Sequence, residues 1–200
     1  MQRTLLMTPL VPFSVKKFIK LEAFHKINKS SYSTKDNIRE YFYHIDVHGQ
    51  LYLEDTKPKN FTTCFKDKRF LDFFFQRLRT NNTGRNDKYP YISPCGKEWN
   101  FIASEDAPIV FTDFAADEKH LIWAGDKQFL FAPDKIVVSN KTGRIYHPTP
   151  KALPGRHDYE NIALLKSSLV LSKFAEHLDL EKHSFVWKGT TYPIELSDQF

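Results

Sequence analysis

The sequence predicts an α+β fold of two β-rich lobes, built as an internal repeat of hairpin, helix and hairpin. The first observation is a pair of similar stretches rich in aromatic and β-branched residues. Residues 41–55 turn at Gly49, and residues 136–147 turn at Gly143. A glycine at a hairpin tip supplies the positive φ that tight turns need. Each hairpin needs a cover for its apolar face, and each lobe has one predicted helix to supply it.

The second observation is that a later pair of turns keeps the spacing of the first. Gly49 and Gly143 lie 94 residues apart, and Gly96 and Gly189 lie 93 residues apart. An aromatic residue follows each later turn at the third position. A period of this size indicates duplication of a small α+β unit, because solenoid repeats are shorter and more numerous. The alternative is chance, since Gly-tipped hairpins are common in β proteins.

Residues 1–35 have the composition of a mitochondrial transit peptide. They contain seven basic residues and a single acid, Glu22. Beyond Pro12 the apolar residues gather on one side of a helix and the lysines on the other, a combination that import peptides use. We expect this segment to be disordered or a single helix, to direct the protein to the matrix, and to be removed. The alternative is a retained basic helix that lies on a membrane surface.

Residues 36–132 form the predicted first lobe. Its elements in order are the hairpin 41–55, a short strand 60–65, a helix 68–79, a polar loop 80–88, a strand pair 89–101, a strand 109–114 and a hairpin 120–131. Asp67 is placed to cap the helix, because a side-chain oxygen there can accept from a free amide of the first turn. The apolar residues of the helix fall on one face.

Residues 133–200 form the predicted second lobe. The hairpin 136–147 leads into a proline-rich connection, residues 148–158. One long helix is predicted over residues 159–178, where apolar residues cover most of the circumference, so we expect it to be buried on several sides. A last hairpin follows, with its turn at Gly189.

Charge and composition exclude several classes of function. The net charge is +5, but residues 1–35 carry +6, so the remainder carries −1. A nucleic-acid binder needs a basic excess in its folded part, so we predict no nucleic-acid partner. No run of about eighteen apolar residues occurs, so we predict no transmembrane segment. Two cysteines alone cannot build a four-thiolate zinc site, and we predict free thiols, no metal and no cofactor.

The sequence gives little support for any catalytic residue. Cys95 lies in a predicted turn, but a nucleophilic thiolate needs a nearby base, and none is placed beside it in the sequence. Glu105 and Asp106 could form a carboxylate pair, yet adjacent residues of a strand point to opposite faces. We interpret them as a turn in which the aspartate bonds backbone amides. We therefore assign no catalytic residue; the alternative is an enzyme with a cleft site that uses Cys95 or a histidine.

Five residues in predicted loops or hairpin ends are candidate binding residues. They are Arg85, Arg144, His147, Arg156 and His157. If the two lobes form a cleft, these side chains could hold a small anionic ligand through charge-assisted hydrogen bonds. The alternative is that they are solvated surface charges. A mitochondrial protein partner is also possible, bound through an exposed aromatic patch.

Several long motifs carry a resemblance to a known family. YFYHIDVHGQLYLED, NFTTCFKD, YISPCGKEWNF, EDAPIVFT and GRIYHPTP resemble an animal family of uncharacterised proteins that includes a mitochondrial chromosome 8 open reading frame protein. The resemblance covers residues 40–150 most strongly and implies a mitochondrial protein with no assigned activity. The order of elements is more distantly similar to a bacterial domain-of-unknown-function family. That similarity implies a two-lobe fold with a ligand-binding or signalling role, and it supplies no catalytic residue.

Overall fold

The computed structural model describes the backbone of residues 32–35, and residues 38–150 and 161–199 in full. The predicted transit segment therefore lies almost wholly outside the described residues, as do Arg156 and His157. Most of the regular secondary structure in the described chain is β-strand, with two short α-helices, which confirms the α+β class. The strands form several sheets.

Among the described residues before residue 132 there are ten strands and one helix. They are β1 (Tyr32–Lys35), β2 (Ile38–Ile45), β3 (Leu51–Leu53), α1 (Lys68–Gln76), β4 (Arg79–Thr80), β5 (Tyr91–Cys95), β6 (Glu98–Ser104), β7 (Val110–Phe111), β8 (Asp113–Phe114), β9 (His120–Trp123) and β10 (Lys127–Leu130). The predicted hairpins at Gly49 and Gly96 are confirmed, because β2 pairs with β3 and β5 with β6 in antiparallel register.

The parts of the chain after residue 132 that the structure describes contain seven strands, one α-helix and two 3-10 helices. They are a 3-10 helix (Pro133–Lys135), β11 (Val137–Ser139), β12 (Ile145–Pro148), β13 (Ile162–Leu165), α2 (Ser167–Lys173), a 3-10 helix (Ala175–His177), β14 (Leu178–Asp179), β15 (Ser184–Trp187), β16 (Thr190–Pro193) and β17 (Glu195–Ser197). The predicted hairpins at Gly143 and Gly189 are confirmed by the pairing of β11 with β12 and of β15 with β16.

The first sheet has the strand order β1-β2-β6-β5-β4, with β3 also paired to β2. Helix α1 begins as predicted, because the Asp67 carboxylate accepts from the amide of Phe70 at 2.7 Å. It ends at Gln76, one turn before the predicted end, and the chain goes directly into β4. The Ser93 hydroxyl of β5 donates to the carbonyl oxygen of Phe74 at 2.7 Å, which fixes the helix to this sheet.

The second sheet has the order β17-β11-β12-β13-β7 and crosses the predicted lobe boundary. Val110 and Phe111 of β7 pair in parallel with Leu164 and Leu165 of β13. One sheet therefore takes strands from both sides of residue 132, and the boundary itself stays a prediction. Two three-stranded sheets, β10-β9-β8 and β14-β15-β16, complete the described chain.

Two parallel strand pairs have corresponding registers. In the first sheet Tyr43 of β2 pairs with Ile102 of β6, and in the second sheet Val137 of β11 pairs with Glu195 of β17. Val137 follows Tyr43 by 94 residues and Glu195 follows Ile102 by 93. These are the same offsets that separate the glycine turns in the sequence.

The long helix predicted over residues 159–178 is wrong. Ile162–Leu165 is a strand, α2 covers only Ser167–Lys173, and a 3-10 helix follows over Ala175–His177. Strand β13 lies between β12 and β7, and Ala163, Leu164 and Leu165 are all buried. A central strand that is buried on both faces has a continuous apolar run. Periodicity alone cannot distinguish such a run from a segment of a buried helix.

The short strand predicted over residues 60–65 is also wrong. These residues form turns, in which the Asn60 carboxamide oxygen accepts from the amide of Thr62 at 2.9 Å. The carbonyl oxygen of Asn60 accepts from the amide of Thr63 at 3.0 Å. An asparagine side chain that accepts a hydrogen bond from the backbone amide two residues later competes with strand pairing. The turn conformation of this segment therefore follows from local hydrogen bonding.

The main core is continuous across the predicted boundary and is rich in aromatic side chains. The ring of Phe131 lies within 6.2 Å, between centroids, of four aromatic rings from other elements, those of Phe114, Phe174, Phe185 and Trp187. Aromatic pairs at these distances add to the stability from area burial alone.

Candidate functional site

The acidic turn at residues 104–108 meets the tip of the β2–β3 hairpin. The amide of Glu105 donates to the carbonyl oxygen of Ile45 at 2.9 Å. Gly49 has φ +75°, and a Cβ built there would lie 3.0 Å from the Cβ of Val110. The tip therefore packs closely on β7, and only glycine fits both the backbone angle and the space.

Asp106 is the most enclosed carboxylate of this region, with only 7% of its surface exposed. It accepts from the amide of Ala107 at 2.7 Å, which is the turn interaction predicted from the sequence. Its other partners are the Arg144 guanidinium and the hydroxyl of the buried Tyr146, which donates at 3.2 Å. Because a buried carboxylate needs a charged partner, Arg144 is the counter-ion of Asp106.

Glu105 points away from Asp106, toward the hairpin. One carboxylate oxygen lies 3.0 Å from Nε2 of His44, and the other accepts from the amide of Val47 at 3.4 Å. The pair therefore does not form the adjacent carboxylates that acid–base catalysis on one substrate would need. Each acid ties the turn to a different element, as expected of neighbouring residues that face opposite ways.

Asp46 organises the hairpin tip in a similar way. Its carboxylate accepts from the amides of His48 and Gln50 at 2.9 and 2.8 Å. The Tyr52 hydroxyl donates to the same carboxylate at 3.3 Å. Burial, reinforced by the charge of Asp46, raises the pKa of Tyr52, so the phenol stays protonated and acts as a donor.

The pairing of Asp106 with Arg144 and Tyr146 was missed from the sequence, although a signal for it was present. Tyr52 and Tyr146 occupy the same place after their hairpin glycines. Both are buried, and each donates its hydroxyl to an aspartate from a turn. The repeated motif therefore marked two internal tyrosine–carboxylate bonds, and not a ligand cleft.

Arg85 is the counter-ion of a second buried carboxylate. Glu40 is only 3% exposed, and its carboxylate lies 2.5 Å from the Arg85 guanidinium. The Asn86 side chain donates to the other oxygen at 3.3 Å, and the guanidinium lies 5.4 Å from the centre of the Trp99 ring. Glu40 lies near the start of β2. Ile45 lies at the end of β2, beside the acidic turn. The backbone positions of Glu40 and Ile45 are about 16 Å apart along this strand, so Arg85 and Arg144 act at its opposite ends.

His147 is fully buried at the end of β12. Its Nε2 accepts from the amide of Ala132 at 2.9 Å, and Nδ1 lies 3.0 Å from the carbonyl oxygen of Pro148. A neutral imidazole protonated on Nδ1 satisfies both bonds. Burial lowers the pKa of His147 to about 4. The ring lies among three phenylalanines, Phe111, Phe129 and Phe131. This histidine is not presented to a ligand.

Cys95 is half-buried at the end of β5. Burial, with a smaller contribution from Glu98, raises the pKa of its thiol above the ordinary value, and the charges of Arg77 and Arg39 only partly oppose this. Reactive cysteines need the opposite shift. The geometry at Cys95 therefore gives the enzyme alternative no support.

The most exposed large apolar side chain in the described part of the chain is on α2. Leu171 is 73% exposed, and Leu180, just after β14, is 55% exposed. Beside Leu171 is a shallow depression of about 110 Å³, lined by Leu171, Ser172, Lys173, Ala175, Glu176 and His177. Small-molecule sites are usually about 300–1,000 Å³. The depression beside Leu171 is smaller than that range.

Across residues 38–150 and 161–199, no group of three or more His, Cys, Asp or Glu side chains is arranged to hold a metal ion. No α-helix among the described residues has both the length and the hydrophobicity needed to cross a bilayer.

Comparison with known proteins places the chain in a family. Residues 30–198 match the family described as Domain of unknown function (DUF4505). The chain belongs to DUF4505. The match includes every element from β1 to β17, so the sheets and the paired acidic turn described above all lie within the DUF4505 domain.

Two solved structures are similar to this DUF4505 chain, and both are bacterial DUF1285 family proteins. The protein from Shewanella baltica OS155 has 15% identity and a TM-score of 0.41, over 69% of this chain and 93% of that chain. The protein from Silicibacter pomeroyi DSS-3 has 13% identity and a TM-score of 0.44, over 85% of this chain and 91% of that chain. The expected distant similarity to bacterial proteins of unknown function is thus found, and the resemblance to the animal family stays a prediction.

Proposed function

We propose that this DUF4505 protein is a mitochondrial accessory module that binds a protein partner. The observation that carries the proposal is the exposure of Leu171, which is 73% accessible on α2. The neighbouring leucine on the same helix, Leu169, is buried in the core, so the helix packs correctly and still leaves an apolar side chain outside. Contiguous exposed apolar surface marks interaction sites, and we propose that Leu171 is the part of α2 that such a surface includes.

A protein partner is favoured over a small anionic ligand because the two described arginines among the five candidate binding residues already have carboxylate partners. Arg85 neutralises Glu40, and Arg144 neutralises Asp106. A ligand that recruited either arginine would leave a buried carboxylate without its counter-ion, which is strongly unfavourable. The two arginines also act at opposite ends of β2, so they do not converge on one anion.

The test is proximity labelling in mitochondria with the full chain and with Leu171→Asp. The matched control is Leu130→Asp, the same substitution at an exposed leucine of β10. We expect the Leu171→Asp protein to lose a specific set of labelled neighbours that the control keeps. Both variants must melt as the natural protein does. An identical set of neighbours for all three proteins would contradict a partner surface at α2.

The mitochondrial location rests on residues 1–35, which carry seven basic residues and one acid. A positively charged segment with one apolar face suits import. Deletion of residues 1–33 should leave the protein outside mitochondria in fractionated cells. A deleted protein that still enters the organelle would contradict this location.

We also propose that the two parts of the chain are duplicated copies of one β-rich unit. The corresponding registers of β2 with β6 and of β11 with β17 support this. A crystal structure would test it by superposition of residues 41–104 on residues 135–197. Strands that follow different paths in the two segments would contradict the duplication.

A further inference from the structure

The outer face of α1 carries a stripe of two arginines around one aromatic ring. Arg69, Phe73 and Arg77 lie four residues apart, which places them on one side of the helix. The opposite side holds the buried residues Leu71, Phe74 and Phe75. Arg69 and Arg77 are exposed, and the Arg77 guanidinium lies 3.6 Å from the centre of the Phe73 ring.

The positive charge continues onto the adjacent sheet edge. Arg79 is exposed on β4, and it pairs with Ile92 of β5 in antiparallel register. That register sends the chain before β4, which contains Arg77, toward the far end of β5. Lys97 is exposed in the turn that follows this end. Arg77, Arg79 and Lys97 thus gather at one end of the first sheet, with Arg69 two turns back along α1.

Two carboxylates that neighbour these residues in the sequence are engaged with other cations. Glu98 forms an ion pair with Arg39, and Asp72 forms one with Lys127. The surface formed by Arg69, Arg77, Arg79 and Lys97, which we call the α1 basic surface, therefore keeps a positive excess. A net positive surface attracts a partner of opposite charge, and the attraction falls with salt.

We propose that the α1 basic surface docks this protein on a membrane that contains anionic phospholipid headgroups. Arginine suits this role because its planar guanidinium binds phosphate through two parallel hydrogen bonds. The half-buried Phe73 supplies an apolar group at the depth of the headgroups, as in other interfacial helices.

A membrane is favoured over a nucleic acid by the geometry at Phe73. Proteins that bind single strands stack bases on exposed aromatic faces. Here the Arg77 guanidinium covers a face of the Phe73 ring, and it is further fixed by a 3.1 Å bond from Nη1 to the carbonyl oxygen of Phe73. Phosphate headgroups need only the cations, which remain at the surface.

The test is co-sedimentation of the full chain with phosphatidylcholine vesicles, with and without phosphatidylglycerol. Each basic residue near an anionic surface contributes about fivefold to the partition coefficient, so the triple variant Arg69→Gln, Arg77→Gln, Arg79→Gln should lose about a hundredfold. The control carries the same charge change at exposed lysines of other elements, Lys119→Gln, Lys135→Gln and Lys141→Gln. It should bind as the natural protein does.

Residues 1–35 are also basic, but they are present in every protein compared, so the difference between the two triple variants isolates the α1 basic surface. Arg77 also bonds the last turn of α1. The double variant Arg69→Gln, Arg79→Gln keeps that bond and should still lose about 25-fold. Equal partition of the natural protein and these variants would overturn the proposal. So would equal binding to vesicles without phosphatidylglycerol, or tighter binding to a single-stranded RNA oligomer than to either vesicle.

Discussion

Acidification should destabilise this protein through His147. Burial holds the pKa of this histidine near 4 in the folded protein, against an ordinary value of 6.5. As the pH falls below 6.5 the unfolded chain takes up a proton at this site, while the folded protein takes it up only near pH 4. The unfolded state binds more protons in this window, so the free energy of unfolding decreases as the pH falls. Above the window both states are neutral and the site contributes no pH dependence.

The magnitude follows from the size of the pKa difference. Each unit corresponds to about 1.4 kcal/mol, so His147 removes roughly 3 kcal/mol of stability between neutral pH and pH 4. That is a large fraction of the roughly 5–15 kcal/mol that keeps a domain folded. The burial of one imidazole among phenylalanines therefore limits the acid tolerance of the fold.

The assay is urea unfolding at about pH 7 and about pH 4.5 for the natural protein and for His147→Gln. The glutamine oxygen can accept from the amide of Ala132 but does not titrate. We expect the natural protein to lose about 2–3 kcal/mol more than the variant between the two conditions. Replacement of the exposed His183 by glutamine is the control and should follow the natural protein. Equal losses in the natural protein and His147→Gln would refute the reasoning, because all other titrating groups are common to both.

Three further predictions concern single positions. Arg144→Met should lower the free energy of unfolding by about 1–3 kcal/mol, because Asp106 loses its counter-ion; solvent screening limits the loss, since the arginine is 39% exposed. In a double-mutant cycle, adding Asp106→Asn should recover part of this loss. Strictly additive losses would count against the pairing. Gly49→Ala and Gly143→Ala each place a side chain at positive φ, which should lower the free energy of unfolding by about 1 kcal/mol. Only the Cβ at residue 49 also meets a neighbour at 3.0 Å, so thermal unfolding should show Gly49→Ala to be the more destabilising variant. Equal effects would contradict the close packing at the hairpin tip. Alkylation of Cys95 by iodoacetamide at neutral pH should be slower than that of a free thiol, because burial raises its pKa, and faster reaction would contradict this environment.

The parts of the fold that sequence predicted well depend on local chemistry. The four glycine turns and the Asp67 cap work within a few residues of where they stand, and the structure has each of them. Residues 162–165 failed for the opposite reason. An apolar run of four is compatible with a helix or a central strand, and the choice depends on β7 and β12, which lie elsewhere in the chain.

The candidate site was predicted only in part, for a similar reason. Sequence position identified Arg85 and Arg144 as cations in loops or turns, but their partners Glu40 and Asp106 stand 45 and 38 residues earlier. No spacing rule links residues so far apart, so the arginines were interpreted as open to a ligand. From its position in the sequence, His147 was likewise interpreted as an accessible residue at the end of a hairpin. In the structure it is enclosed by three phenylalanines that are distant from it in the sequence.

The pairing of β7 with β13 joins two segments that are far apart in the sequence. The strand of Val110 can pair with β13 only after Leu164, more than fifty residues later in the sequence, has been synthesised. At a synthesis rate of about 5–20 residues per second this delay lasts roughly 3 to 10 s. During that time the side of β7 that later pairs with β13 is unpaired, and unpaired strand edges can pair with strands of other chains.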